Sequence, residues 1–213
     1  DKIKSIKEEY QKCISTSSKT FFMDNGGKQT FIKNPLLNIR GIKDILDDLK
    51  PLLFDISNGN NYYITQAVAM RNIHIKDAMD HRDNGLSNAF HNDGISCRDK
   101  SIFILLSDNV TRDTGATKFI NKKDSIKLSR DFGYFSRRFI SKRFIKKLYD
   151  KAEFFEGSTG DIYILSTSQC LHGATIPKKG SYRDILIFMY TEDKPSKNVD
   201  SQPILYSNKS SIK

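Results

Sequence analysis

The feature that most constrains the fold is a His-x-Asp triplet, His91 and Asp93, followed 79 residues later by a second histidine, His172. In an extended segment the side chains of residues i and i+2 point to the same side, so His91 and Asp93 can reach one metal ion. A third ligand must then come from another strand. Two imidazoles and one carboxylate on one side of a metal leave adjacent coordination positions open for other ligands. If His172 is the third ligand, the fold has to bring two distant β segments together.

An arginine, Arg183, stands eleven residues after His172 in a segment that is typical of a β-strand. A β-rich run at residues 160–172 ends in His172, and a second apolar run follows at residues 182–190, after a turn at residues 177–180. A hairpin between the two runs would place Arg183 beside His172. A guanidinium binds a carboxylate through two hydrogen bonds, so Arg183 can anchor a dicarboxylate whose other end chelates the metal. This combination indicates a non-haem Fe(II) oxygenase site.

Five short segments, taken with Arg183, resemble the phytanoyl-CoA dioxygenase family of Fe(II)/2-oxoglutarate oxygenases. They follow the order and spacing of that family over residues 62–191: Phe90-His91-Asn92-Asp93-Gly94, residues 102–108, Thr114-Gly115-Ala116, Gly160-Asp161-Ile162 and Leu171-His172-Gly173-Ala174. The resemblance implies a mainly β fold with flanking helices and a double-stranded β-helix (jelly-roll, cupin-like) core. It also implies that His91, Asp93 and His172 are the iron ligands and that Arg183 anchors 2-oxoglutarate.

The resemblance further implies an oxidoreductase that uses Fe(II), 2-oxoglutarate and O₂ to hydroxylate a small molecule, with release of succinate and CO₂. Asp93 fills the position that a small residue takes in halogenating relatives, so it favours hydroxylation. The chain departs from the family pattern at residues 117–123 and at Ala174, where relatives have a different turn sequence and a polar residue. We therefore expect the elements that cover the substrate to differ from the usual ones.

A strand predicted at residues 62–70 would belong to the core according to the same resemblance. Its Tyr63 or Gln66 could face the cosubstrate and help to bind it. A packing or surface role is the alternative for both side chains.

A second His-x-Asp triplet, at residues 81–83, competes with His91 for the ligand role. A three-letter pattern on its own is weakly specific. His81 stands among Asp, Asn and Gly residues with no apolar run close behind, whereas the apolar run at residues 102–106 follows His91 at a family-like distance. We therefore prefer His91. A structural role remains the alternative for each histidine taken alone.

The chain is predicted to form one domain, because 213 residues with 38% hydrophobic content suit a single core. Its parts are an N-terminal region, the jelly-roll core and a polar tail, at residues 1–60, 61–191 and 192–213. In the first part, apolar residues at helical spacing predict helices at residues 1–13 and 37–54. A strong Asn-Gly-Gly turn signal predicts a hairpin at residues 21–32. We expect the second helix to be interrupted at Pro51.

The net charge of +10 is concentrated in a predicted basic helical insert near residues 135–151. Apolar residues at helical spacing give this insert one side that can pack on the core. It is either a surface helix that covers the barrel or an electrostatic guide for an anionic small-molecule substrate. A non-catalytic jelly-roll module that binds an anionic ligand or nucleic acid is the alternative function.

Several classes of partner and location are not expected from the sequence. It contains no helix-turn-helix, zinc-finger or RNA-recognition signature, so nucleic acid is not an expected partner. It contains no apolar run long enough to span a membrane and no signal-peptide pattern. Its three cysteines lack zinc-like pairing and suggest free thiols in a reducing compartment. A cytoplasmic location is the expectation.

Overall fold

The computed structural model describes residues 2–24, 28–74, 88–93, 99–132, 142–193 and 204–206. Within these ranges the helices are α1 (Lys2–Ile14), α2 (Pro35–Asn38), α3 (Ile42–Ile56), α4 (Lys122–Phe132) and α5 (Lys142–Tyr149), and 3₁₀ turns lie at Ser17–Lys19 and Arg112–Thr114. The strands are β1 (Thr20–Asp24), β2 (Lys28–Ile32), β3 (Tyr62–Ile73), β4 (Lys100–Leu105), β5 (Thr117–Phe119), β6 (Glu153–Phe155), β7 (Ile162–Leu165), β8 (His172–Ala174), β9 (Tyr182–Thr191) and β10 (Ile204–Tyr206).

The strands form two antiparallel sheets. The major sheet has the order β1-β2-β3-β9-β4-β7, with β10 paired to β3, and the minor sheet has the order β6-β5-β8. At the centre of the major sheet β3 pairs with β9 from Tyr63–Thr191 to Ile73–Tyr182, with a register shift between Ile64 and Gln66. A mainly β fold with flanking helices is therefore confirmed.

Helices α1 and α3 pack on the outer face of the major sheet. The α1 side chains Ile6 and Tyr10 join Leu46, Leu186 and Phe188 in the largest hydrophobic cluster. A second cluster fills the space between the two sheets, with Met70 and Ile185 from the major sheet and Phe155 from the minor sheet among its members. The alternation of side chains along each strand supplies both clusters at once.

The predicted interruption of the second helix at Pro51 was wrong. Helix α3 continues through Pro51 to Ile56. Proline removes one backbone donor, which would otherwise bond to the carbonyl of Asp47. Both residues lie on the exposed side of α3, so water can bond to the released carbonyl.

The basic insert and the tail differ in part from their predictions. Helix α5 covers the end of the predicted segment, with Leu148 buried and Lys146 and Lys147 exposed, while residues 133–141 lie outside the described residues. Helix α4 precedes it and was not predicted. Within the predicted polar tail, residues 204–206 form β10 beside β3. Among the described residues no helix is long and apolar enough to cross a membrane.

A buried polar network connects α1 to the major sheet. The fully buried Asp184 carboxylate accepts hydrogen bonds from Arg71 Nε and Nη2 (both 2.7 Å), Tyr10 Oη (3.0 Å) and Gln11 Nε2 (2.8 Å). Burial and the charge of Asp184 raise the pKa of Tyr10 well above its ordinary value, so the phenol remains a hydrogen-bond donor. The network fixes the position of α1 on β3 and β9.

Arg71→Met is expected to destabilise the fold by about 3 kcal/mol, because it leaves the Asp184 carboxylate buried without its cation. The value is at the low end for buried pairs, since 23% of the Arg71 side chain is exposed. Urea denaturation measures it. Lys178→Met is the control, because Lys178 and Asp113 form an exposed pair whose loss costs less than about 1 kcal/mol. Equal losses in the two variants would contradict the structural importance of the Asp184 network.

Candidate metal centre

The two candidate histidine ligands face each other across a short antiparallel bridge. The His91 N–H donates to the His172 carbonyl (2.9 Å), and the His172 N–H donates to the His91 carbonyl (2.8 Å). Paired residues of antiparallel strands point their side chains to the same face. The imidazole centroids are accordingly 4.5 Å apart. The fold thus brings together two histidines that are 81 residues apart in the sequence.

Each imidazole is oriented by a backbone carbonyl two residues earlier. His91 Nδ1 lies 2.8 Å from the Ala89 oxygen, and His172 Nδ1 lies 3.0 Å from the Cys170 oxygen. A carbonyl can only accept, so each Nδ1 carries a proton and donates it. Each Nε2 can then offer its lone pair to a metal, which is the arrangement found in metal-ligating histidines.

The Asp93 carboxylate completes the cluster. Its two oxygens lie 3.7 Å from His91 Nε2 and 3.6 Å from His172 Nε2, and all three potential ligand atoms lie within 4.8 Å of one another. An ion with bonds of about 2.1 Å holds its ligand atoms no more than about 4.2 Å apart, so both carboxylate distances suit a shared metal. The backbone of Asp93 is held by a hydrogen bond from its N–H to the Thr167 carbonyl (3.0 Å). The three side chains are therefore a group that can hold one metal ion through two nitrogen ligands and a carboxylate.

Gly173, next to His172, allows the backbone of residues 88–89 to lie directly against β8. A Cβ at this position would lie 2.6 Å from the Ala89 oxygen, which is the acceptor that orients His91. Only glycine leaves room for this contact. The glycine is therefore part of the structure that positions both histidines.

Gly173→Ala is expected to displace the Ala89 carbonyl, to cost about 1–3 kcal/mol of stability and to weaken metal binding. Thermal denaturation and metal titration measure the two effects. Gly180→Ala is the control. A Cβ at this position would have no heavy atom within 4 Å, and the variant should lose only about 1 kcal/mol of stability, because residue 180 has a φ of +85°. Metal affinity should stay at the wild-type value in the control. Unchanged metal affinity in Gly173→Ala would refute the role of this contact.

The three ligand candidates line a cavity of about 170 Å³ between the two sheets. Apolar side chains from β3, β4 and β9 form one wall of this cavity: Val68, Met70, Phe103, Ile187 and Met189. Arg183 and Thr117 also line it. The cavity thus has a candidate metal centre, a cation and an apolar wall.

Arg183 is a buried cation, with 1% of its surface exposed. Its Nη1 donates to Thr117 Oγ1 (2.6 Å), and its Nε has no hydrogen-bond partner among the described residues. Burial lowers the pKa of Arg183 to about 10, so the guanidinium keeps its charge at neutral pH. A buried charge with an unsatisfied donor is costly unless an anion binds to it. The arrangement therefore suits a carboxylate.

Asn72 lies directly opposite Arg183 in the β3–β9 pairing. Its side-chain oxygen and nitrogen are buried and have no hydrogen-bond partner among the described residues. Sequence reasoning missed Asn72 and the role of Thr117. The sequence did contain a signal for Asn72. It is a polar residue two positions after Met70 and four after Val68, so strand alternation places it on the same face as those apolar side chains.

The predicted hairpin between the strands of His172 and Arg183 was wrong. β8 pairs with β5 in the minor sheet, whereas β9 pairs with β3 and β4 in the major sheet. The turn at residues 177–180 carries the chain from one sheet to the other. His172 and Arg183 therefore approach the cavity from opposite sheets.

Tyr63 and Gln66 do not line the cavity. The β3 residues that do so are Val68 and Met70, while Gln66 is exposed beside the register shift of β3. Its cross-strand neighbour, Met189, does line the cavity. The competing triplet at residues 81–83 lies outside the described residues.

No family model and no curated protein matches the sequence. Solved structures do match the fold. The epimerase SnoN, in complex with Fe³⁺, alpha-ketoglutarate and nogalamycin RO, superimposes with a TM-score of 0.61 at 8% identity, over 95% of this chain and 84% of SnoN. HygX from Streptomyces hygroscopicus, with nickel, 2-oxoglutarate and hygromycin B, gives 0.55 at 13% identity, over 89% and 78% of the two chains.

EctD from S. alaskensis, with 2-oxoglutarate and 5-hydroxyectoine, also gives a TM-score of 0.55, at 14% identity, over 90% of this chain and 68% of EctD. Identities this low establish the fold alone. The narrower resemblance to the phytanoyl-CoA dioxygenase family stays a prediction. The chain has the jelly-roll fold that it shares with these structures, each of which contains bound 2-oxoglutarate.

Proposed function

We propose that the chain is an Fe(II)- and 2-oxoglutarate-dependent oxygenase that hydroxylates a small molecule. The observation that carries the proposal is one cavity that holds both the His91, Asp93 and His172 cluster and the buried Arg183. Iron held by the three side chains would supply oxidative decarboxylation of 2-oxoglutarate to succinate and CO₂, coupled to oxidation of the substrate by O₂. The complexes of SnoN and HygX with a metal and 2-oxoglutarate support this assignment.

The residues of the cluster have defined tasks in this proposal. His91 and His172 would each offer Nε2 to the metal, because their Nδ1 protons are engaged by the carbonyls of Ala89 and Cys170. Asp93 supplies one negative charge and one oxygen ligand. A carboxylate at this position also leaves no place for a halide ligand, which favours hydroxylation over halogenation.

Arg183 would bind the distal carboxylate of 2-oxoglutarate. Thr117 already fixes the guanidinium through Nη1, which leaves Nε to donate to the ligand. The buried Asn72 amide, opposite Arg183, would donate a second hydrogen bond to a carboxylate that reached it, although Asn72 does not itself line the cavity. Such a carboxylate would satisfy donors that otherwise stay buried and unpaired.

The apolar wall and the charge of the chain bear on the substrate. Val68, Ile187 and Met189 can exclude water around the reacting carbon. Residues 122–151 contain eleven Lys and Arg against three Asp, which gives this segment eight of the ten net positive charges. That excess supports a small anionic substrate, which the positive net charge of the chain would attract at long range.

Anaerobic titration of the chain with Fe(II) and 2-oxoglutarate tests the proposal. We expect a weak visible absorption band at about 500 nm when 2-oxoglutarate chelates iron through the open positions of the cluster. Zn(II) in place of Fe(II) is the control, because this ion has a filled d shell and no redox chemistry. Binding of Zn(II) without the band would show that the signal comes from iron.

Absence of the band, with neither Fe(II) nor 2-oxoglutarate bound, would overturn the proposal. The chain would then be better described as a jelly-roll module that binds an anionic ligand through its basic surface. A band followed by succinate formation in air would instead direct the search to substrates, beginning with small anionic metabolites.

A further inference from the structure

A small hydrophobic cluster lies behind the metal centre, on the other side of the strands that carry the two histidines. It contains Phe90 and Leu171, which immediately precede His91 and His172. Neighbouring residues of an extended segment point to opposite faces, so the histidines face the cavity while Phe90 and Leu171 face away. The remaining members of this rear cluster come from Ile120, from α4 and from the segment that begins in α5: Leu128, Leu148, Tyr149 and Ala152.

Ser125 of α4 bonds directly to the backbone that precedes His172. Its hydroxyl donates to the Ile120 carbonyl (2.8 Å) and accepts from the Leu171 N–H (2.9 Å). The Leu171 carbonyl in turn accepts from the Ile120 N–H (2.8 Å). Ser125 is buried, so water cannot replace its hydroxyl without rearrangement. The side chain thus continues the backbone ladder at the point where β8 begins.

Lys118 of β5 makes the corresponding contacts behind His91. It is fully buried, and its Nζ donates to Tyr149 Oη (2.8 Å). The same ammonium lies 4.9 Å from the centroid of the Phe90 ring and 5.0 Å from that of Tyr149. The two rings contact each other edge to face at 5.5 Å. A cation over aromatic rings is favourable and is stronger where water is excluded.

We propose that Ser125 and Lys118 are positioning residues for the two histidines. Each acts on the residue before a histidine, and neither lines the cavity. The geometry of the metal centre then depends on α4 and α5, although both helices lie on the far side of the minor sheet. The inference rests on the proposed function only in that His91 and His172 bind a metal.

Titration with Co(II), followed by its visible absorption spectrum, tests this proposal. Ser125→Ala and Lys118→Met are expected to raise the Kd for Co(II) by about 10- to 100-fold and to change the spectrum of the bound ion, as loss of groups that orient metal ligands does. Ser125→Thr keeps a hydroxyl and should restore both properties. Ser129→Ala, on the same helix, and Lys127→Met, at an exposed lysine, are the matched controls.

Wild-type Kd and spectrum in both Ser125→Ala and Lys118→Met, together with lower melting temperatures, would overturn the proposal and leave the two residues a purely structural role. If these variants do not fold, Tyr149→Phe provides the test of the proposal. It keeps the ring beside Phe90 and removes the oxygen that accepts from Lys118, so a raised Kd is expected and a wild-type Kd would refute the proposal. A wild-type chain that binds neither Co(II) nor Fe(II) would overturn the proposed function.

Discussion

Alanine at His91 or at His172 is expected to abolish Fe(II)-dependent turnover of 2-oxoglutarate. Each change removes one of three metal ligands, so metal affinity should fall by more than the roughly 10- to 100-fold that loss of an orienting partner costs. The fold should be retained, because the bridge between the two residues consists of backbone hydrogen bonds. Succinate formation in air and metal titration measure the effects.

Two further histidines provide controls for this result. His74 directly follows β3 and its ring Nδ1 is hydrogen-bonded to the Pro177 carbonyl, so His74→Ala should keep full turnover. His81→Ala tests the competing triplet of the sequence. Loss of turnover in His81→Ala as complete as in His91→Ala would show that the wrong triplet was preferred.

Arg183→Gln is expected to weaken 2-oxoglutarate binding by on the order of 100-fold, because a buried ligand carboxylate would lose its cation. Metal affinity should stay near the wild-type value, since Arg183 is not part of the metal cluster. Arg183→Lys keeps the charge without the planar fork and should be intermediate. Titration of the metal-loaded chain with 2-oxoglutarate, under anaerobic conditions, gives these affinities.

The pH dependence of the same binding provides an independent check. Because burial lowers the pKa of Arg183 to about 10, its positive charge is lost as the pH rises through that value. Affinity for 2-oxoglutarate should therefore be level near neutral pH and fall in strongly alkaline solution.

The matched control for Arg183→Gln is Arg112→Gln, at an exposed arginine over the Phe154 ring, which should bind 2-oxoglutarate normally. Unchanged affinity in Arg183→Gln would refute its role as the anchor.

Local patterns in the sequence predicted most of the elements. Apolar residues at helical spacing predicted α1, whose Ile6, Tyr10 and Cys13 are buried. The turn signal at residues 25–27 predicted the hairpin of β1 and β2, which pair from Thr20–Ile32 to Asp24–Lys28. The i and i+2 spacing of His91 and Asp93 supported the prediction that they form one cluster with His172. The ligand atoms of the three side chains do lie close together in the structure.

Features that depend on tertiary placement were not predictable from local patterns. A turn between two apolar runs suits a hairpin and a change of sheet equally well, so the partners of β8 and β9 were misjudged. Gln66 and Val68 lie on the same face of β3 and in the same register with β9, and nothing local distinguishes Val68, which lines the cavity, from Gln66, which is exposed. Ser125 is also one of many serines in the sequence, and only the packing of α4 reveals its contact with Leu171.

The pairing of β3 with β9 has a consequence for how the protein forms. These central strands are more than 100 residues apart in the sequence and pair almost along their full length. Pairing of such distant segments has a large loop-closure entropy and makes folding slow. During synthesis the cavity cannot exist until β9 has left the ribosome. A metal that binds the folded cluster more tightly than the unfolded chain would shift the folding equilibrium toward the native state.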